Sequence, residues 1–315
     1  MTTLCIDELL LRWAEELGFA DCGVAKAHTM TDAMRDFRES INRGFHGDMA
    51  YLEKNQDIRE DPSLLLPGVK SVICLLAPYR QSEKKQPGCP SVASYAWGED
   101  YHDVIKKKLR EIVRRMKIEI PELEARVFTD SAPLLERLWA REAGLGFIGK
   151  NGLLISKKQG VHNLIGIILV NVEMKYSGSI VRDGCGKCRQ CLDGCPTGAL
   201  TAPYIMDARR CISYQTIESK RVYEEEEFKV THSGYIFGCD ACIEACPWVN
   251  KGRYTTWPEF SPLYSPGHDK KMVEFSPEDW AGLCEDDFKE IFKNSPLKRA
   301  GISKIKNNLE KLIST

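Results

Sequence analysis

Four cysteines crowd into eleven residues, CGKCRQCLDGC from Cys185 to Cys195, and Pro196 follows the last. Nothing else in the 315-residue chain restricts its fold as strongly. The spacing C-x2-C-x2-C-x3-C-P lets successive thiolates curl around one inorganic cube, with main-chain N–H groups turned toward its sulfides. In the bacterial ferredoxin form of this run, three cysteines hold one [4Fe–4S] cluster and the fourth crosses to another. A second set is therefore required. Cys239, Cys242 and Cys246 supply three more ligands as C-x2-C-x3-C ahead of Pro247, and the isolated Cys211 in RRCISYQ brings the number to eight. Crossing ligation groups Cys185, Cys188, Cys191 and Cys246 around one cluster, and Cys195, Cys211, Cys239 and Cys242 around the other. A pair of all-cysteine zinc sites is the competing reading, although zinc modules space their cysteine pairs further apart. Cys5, Cys22, Cys74, Cys89 and Cys284 are scattered and read as buried free thiols.

Two clusters carry single electrons and seldom constitute a function alone, yet some 180 residues stand in front of them. Hydrophobic residues make up 43% of the chain, enough for a sizeable core. The N-terminal MTTLCIDELLLRWAEELGF has a helical apolar face, and its acidic residues and short apolar run do not suit a signal peptide. No apolar stretch approaches the ~18 residues of a membrane span. The expectation is a soluble cytoplasmic protein, with no membrane partner and its thiols used as ligands rather than disulfides. The formal net charge is -1, so a polyanion would have to be met by a local basic patch. Lys106, Lys107, Lys108, Arg110, Arg114, Arg115 and Lys117 form one such group, which reads first as a solvated helix face. Lys298, Arg299, Lys304 and Lys306 form another. The acidic run Glu224–Glu227 reads as solvent-facing.

The overall pattern is α+β. Residues 1–175 read as an N-terminal α/β domain, 176–255 as a two-cluster ferredoxin domain and 256–315 as a short helical tail. In the first part, residues 1 to about 60 read as helices, with Leu9, Leu10, Trp13 and Leu17 recurring at helical spacing. GVKSVICLLAPY (68–79) reads as a buried strand, and YHDVIKKKLREIVRRMKIEI (101–120) as a helix with Ile105, Leu109, Ile112 and Met116 on one face. ARVFTD (125–130) reads as a strand that stops at Asp130. SAPLLERLWAREAGLG follows as a helix with Pro133 in its first turn. NGLLISKKQGVHNLIGIILVNVEM reads as a two-stranded hairpin turning at 157–160.

The order of DIREDP, LLPGVKS, YAWGEDYHDV, TDSAPLLER, GLGFIGKN, the first cysteine run, RRCISYQTIE and YIFGCDACIEACP resembles the epoxyqueuosine reductase family across nearly the whole chain. The cysteine runs are generic to ferredoxins; their combination with GFIGKN, RCISY and GCDAC is specific. The resemblance implies reduction of epoxyqueuosine to queuosine at the wobble position of tRNA. It implies a cobalamin held without its lower base, fed by two [4Fe–4S] clusters, and an architecture similar to reductive dehalogenases. The partners it implies are a tRNA anticodon stem-loop and an external electron donor, with the chain acting as a monomer.

The family's proton donor matches Asp130, although an Asp just before a helix is ordinarily an N-cap. This chain has Ser131 and Ala132 where relatives often have Thr-Gly. The family's cobalamin contacts match Arg59, Ala93, Asp130, Leu154, Ile165, Ile168, Ser213, Lys220, Cys239 and Asp240. A histidine lower ligand is not expected: Asp100-Tyr101-His102 begins the D-x-H-x-x-G pattern, but Ile105 stands in place of its glycine. Longer relatives continue into HEAT-like repeats, which are expected to be absent here because the sequence stops at Thr315. A dehalogenase-like reductase of a small molecule, and an electron-carrier ferredoxin with an extra binding domain, are the other two readings.

Overall fold

The structure, a computed structural model, describes residues 5–177, 181–221, 234–265 and 270–313. The acidic run Glu224–Glu227 lies outside them.

The sequence VICLLA has no polar alternation because both its faces are covered. The strand Ser71–Pro78 is buried along its whole length at the centre of a four-stranded sheet. Its neighbours are Asp21–Lys26 on one side and Asn163–Val170 on the other, with Ala125–Phe128 at the far edge. Every pairing is antiparallel, with registers Ser71↔Val170 and Asp21↔Leu76. One face carries the helices Ile6–Glu16 and Tyr101–Glu119, whose Leu10, Trp13, Ile105, Leu109, Ile112 and Met116 pack on Ile73, Leu75 and Ile168. The other face carries the helix Glu136–Glu142, whose Trp139 and Ala140 pack with Cys74, Leu76, Ile165 and Ile167. Trp139 has no exposed surface, and truncating it to alanine would cost roughly 3–5 kcal/mol. Gly23 allows that helix to sit close: a Cβ there would lie 2.2 Å from the carbonyl oxygen of Ala143.

The sheet is antiparallel throughout, and the α+β description holds. Four expectations are corrected. Cys5 and Cys284 are exposed rather than buried, each standing just before a helix. The strand Asp21–Lys26 falls in a segment that reads as helical, because DCGVAK is short and sits at a sheet edge. The hairpin expected over 151–174 is split. Its turn survives as the bridge Ser156↔Gly160, but Leu154–Ile155 pairs with Phe147–Ile148 in a separate ribbon, while Asn163–Val170 enters the main sheet. The helix expected from Ser131 begins at Glu136 with Leu135 as its N-cap, so Pro133 lies in a loop and Asp130 caps nothing.

The cysteines sit on three short helices, Gln190–Asp193, Ile212–Ile217 and Ala241–Glu244, or just beside them. This part is stitched to the first by a parallel pairing of Tyr235–Phe237 with Ser91–Val92. The tail does not stand apart either. Trp280, Phe288, Phe292, Leu297, Ile305 and Leu309 share one core with Val92, Trp97, Ile236 and Phe237. The boundary expected at 255 therefore cuts through a continuous apolar cluster. In the basic helix Tyr101–Glu119, Glu111 is paired with both Arg114 and Arg115, and Arg115 also reaches Glu16, as a solvated face requires. Among the described residues no helix is long and apolar enough to cross a membrane.

Candidate active site and thiol quartets

Folding brings the cysteines of the two runs and Cys211 near one another. Cys185, Cys188, Cys191 and Cys246 line one cavity of about 330 Å³, with Lys150 and Trp248 on its walls. Burial raises the Cys191 thiol, and its neighbours Cys185, Cys246 and Cys188 raise it further. In the second group burial pushes Cys239 up to about 12, and Cys211 and Cys195 add to the effect. Cys242 is raised by burial and then by Cys211, Cys239 and Cys195. Thiolates crowded this way repel one another, and a cationic iron–sulfide core relieves that repulsion. Cys195 shows how the main chain helps. Burial alone would raise it, but the N–H groups of Leu200 and Ala199 and the Thr197 hydroxyl outweigh burial and hold it low; the Ala199 N–H lies 3.3 Å from Sγ. Among the described residues no group of three or more His, Cys, Asp or Glu is placed to hold a lone metal ion; the first quartet is spread around its cavity instead.

Asp130 stands at the end of the edge strand, where the chain leaves the sheet. Its φ is 46°, a left-handed value uncommon outside glycine. Its carboxyl is largely exposed, and Oδ2 accepts a 2.5 Å hydrogen bond from the Tyr101 hydroxyl. Burial, and then the charge of Asp130, push that phenol far above its ordinary value, so it stays a donor. The Tyr101 ring stacks on His102 with centroids 4.0 Å apart. His102 Nε2 lies 3.9 Å from Asp130 Oδ2, and its Nδ1 lies 2.7 Å from Asp100 Oδ1. Burial would raise the Asp100 carboxyl, but bonds from His102 and from Lys298, 3.3 Å away, hold it at about 2. An ionised Asp100 makes Nδ1 the donor and turns the other ring nitrogen toward Asp130. Behind the acid, the Asp130 N–H donates to Glu136 Oε1 at 2.7 Å. Burial and the charge of Asp130 raise the Glu136 carboxyl to about 8. Arg137, next along, is exposed and donates to the carbonyl of Gly152.

Other sequence-predicted contacts are distributed unevenly relative to this acid. Asp240, beside Cys239, is buried, accepts the Ser94 N–H at 2.7 Å and is raised to about 6 by burial. Tyr95 follows Ser94, and its ring meets Tyr101 edge-on at 5.8 Å. The second quartet thus connects through Asp240, Tyr95 and Tyr101 to Asp130. Arg59 is buried over the Phe37 ring, and its Nε lacks a hydrogen-bond partner. Leu154, from the separate ribbon, and Ile165, from the sheet, pack in one apolar cluster. Ile168 does not: three residues along the strand from Ile165, it points to the opposite face and has no exposed surface. Ala93 is also fully buried, packed under Gly238. Neither side chain is available to a ligand. Ser213 is half-buried, and exposed Lys220 lines a separate 650 Å³ cavity with Arg299 and Lys304. The sequence reading passed over Tyr101, Glu136 and Arg137. Their signal lay in YAWGEDYHDV and TDSAPLLER, beside residues already singled out.

An antiparallel α+β unit that presents an exposed acid, coupled to a ferredoxin-type module with two thiol quartets, defines an iron–sulfur oxidoreductase. Residues 59–131 match the family model described as epoxyqueuosine reductase QueG, DUF1730, and residues 184–249 match the 4Fe-4S double cluster binding domain. The chain is 39% identical to the epoxyqueuosine reductase of Leadbetterella byssophila over 94% of its own length and 95% of that protein's. It is 36% identical to that of Cellulophaga algicola, covering 96% of each. A crystal structure of epoxyqueuosine reductase with an epoxyqueuosine-modified tRNA-Tyr stem loop matches with a TM-score of 0.88 at 26% identity, covering 98% of this chain and 80% of that one. The chain belongs to the epoxyqueuosine reductase family.

Proposed function

We propose that this chain reduces epoxyqueuosine to queuosine at the wobble position of tRNA, with Asp130 protonating the departing oxygen. The observation that carries the reading is the exposed Asp130 carboxyl, hydrogen-bonded to Tyr101 and linked through Tyr95 and Asp240 to the second thiol quartet. Family membership and the relative's stem-loop complex support the substrate.

The conversion breaks both C–O bonds of the epoxide, forms a carbon–carbon double bond and releases the oxygen as water, consuming two electrons and two protons. The match to a double-cluster domain supports two [4Fe–4S] clusters, ligated by Cys185, Cys188, Cys191 and Cys246 and by Cys195, Cys211, Cys239 and Cys242. An external donor refills them. Cobalamin, when bound without its lower base, supplies the strongly reduced cobalt centre that one-electron clusters lack. The unpartnered Nε of Arg59, the apolar Leu154 and Ile165, the Asp130 carboxyl and the Cys239–Asp240 pair fit such a group, with Ser213 and Lys220 further out.

Asp130 gives its proton to the oxygen as the C–O bond opens. Tyr101 then holds the new carboxylate by a charge-assisted hydrogen bond. His102, oriented by Asp100, faces the same oxygen and is placed to return a proton. The protein acts in the cytoplasm as a monomer.

An anaerobic assay with reductant, cobalamin and an anticodon stem-loop carrying epoxyqueuosine tests the reading. Wild-type protein is expected to yield queuosine. Asp130→Asn is expected to keep the cluster and cobalamin spectra and lose about 100-fold or more in kcat. Full turnover in that variant would remove Asp130 from the chemistry, and no queuosine from the wild type would remove the substrate.

A further inference from the structure

The Asp130 backbone is held in place by one side chain. Its left-handed φ belongs to a residue with a Cβ, which does not adopt that conformation freely. Its carboxyl is mostly in solvent, so packing does not anchor it. The segment from Thr129 to Leu135 contains neither helix nor strand. Thr129 Oγ1 donates to the Ile165 carbonyl at 2.7 Å and fixes the chain before the acid. After it, the loop is closed by the Asp130 N–H donating to Glu136 Oε1, six residues on, at 2.7 Å. Glu136 is itself tethered, since the adjacent Arg137 donates to the Gly152 carbonyl.

We infer that Glu136 is a positioning residue, a latch that keeps the Asp130 backbone in its left-handed conformation and its carboxyl against the Tyr101 hydroxyl. The latch needs an acceptor oxygen, and a neutral carboxylic acid provides one as well as a carboxylate does. That agrees with a site where burial raises Glu136 to about 8. Glutamine offers the same oxygen at the same reach. Leucine fills the space and offers none. The catalytic part of this inference rests on the proposed role of Asp130; the latch itself does not.

Holoprotein with clusters and cobalamin is compared as wild type, Glu136→Gln and Glu136→Leu. Glu136→Leu is expected to lower kcat on the modified stem-loop at least about tenfold with KM unchanged, since a small misplacement of a catalytic group has that effect. Glu136→Gln is expected to stay within about threefold of wild type. In an Asp130→Asn background, Glu136→Leu is expected to add less than about twofold, because a residue acting only through the acid has nothing left to position. Hydrogen–deuterium exchange of the peptide covering 129–135 is expected to speed up in Glu136→Leu and not in Glu136→Gln. The inference is overturned if Glu136→Leu turns over normally, if Glu136→Gln falls with it, or if the two losses multiply in the double variant. The exchange measurement needs no substrate, so unchanged protection in Glu136→Leu refutes the latch even if the stem-loop is not reduced.

Discussion

The two thiol quartets use the same ligand chemistry in different surroundings. Around Cys185, Cys188, Cys191 and Cys246 stand two lysines and one surface carboxylate. Lys150 donates to the carbonyls of Gly186 and Cys188, and exposed Lys251 shares the cavity wall. The Lys150 main-chain N–H pulls the Cys185 thiol back against the rise that burial imposes; the Asp183 carboxylate pushes it up, and the Lys150 charge lowers it again. Around Cys195, Cys211, Cys239 and Cys242 the neighbours are phenols and a carboxyl. Buried Tyr79 and Tyr235 feel the charges of Asp240 and of the Cys242 and Cys239 thiols respectively. A nearby cation stabilises a cluster's added electron, whereas a low-polarity shell with a carboxyl disfavours it. If both quartets hold clusters, the proposed order of electron flow requires the second to sit at the lower potential, and this difference in surroundings is in that direction.

Removing a ligand from each quartet is the strongest way to break this comparison. Cys242→Ala is expected to halve the iron content and lower turnover by more than about 100-fold with any reductant. Cys188→Ala is expected to lose as much iron yet keep measurable turnover with dithionite, which can reach the second cluster without the first. Equal inactivity of both variants under dithionite would erase the distinction. A smaller effect is expected from Lys150→Met, which should lower the midpoint potential of one cluster by tens of millivolts (about 30 mV or more) and leave the other unmoved. Potentiometric titration followed by electron paramagnetic resonance reads both together.

The smallest effect concerns the surroundings of the acid rather than the clusters. A carboxyl raised from 4.5 to about 8 binds its proton more tightly in the folded state than in the unfolded chain. Glu136 therefore takes stability away as pH rises from about 4.5 to 8. Thermal melts of wild type and Glu136→Gln are expected to diverge by a few °C between pH 5 and pH 8, the wild type falling further. Parallel curves would show that the carboxyl is not desolvated.

That Cys185, Cys188 and Cys191 share one cavity was legible in the sequence, because ligand spacing is a local property with few geometric solutions. The central strand Ser71–Pro78 was legible for a similar reason: eight consecutive buried positions leave a continuous apolar run. Strand order was not. Antiparallel pairing of Ser71–Pro78 with Asn163–Val170 joins segments some 90 residues apart, and nothing in either segment names its partner. The faces of the Asn163–Val170 strand were likewise hidden, because both are apolar. Ile165 and Ile168 look equivalent in the sequence and end on opposite sides. Asp130 was found by its motif, whereas its left-handed backbone and its bond to Glu136 depend on the loop's three-dimensional path.

The pairing of Tyr235–Phe237 with Ser91–Val92 means that the electron-carrying portion is not a detachable cartridge. At the junction a Cβ on Gly238 would come within 2.5 Å of the Ala93 side chain, so the two backbones run almost in contact. An electron held at the second quartet would not wait for two bodies to collide, so its passage to the first unit would not depend on protein concentration. Either piece made alone would expose a raw strand edge where its other half belongs.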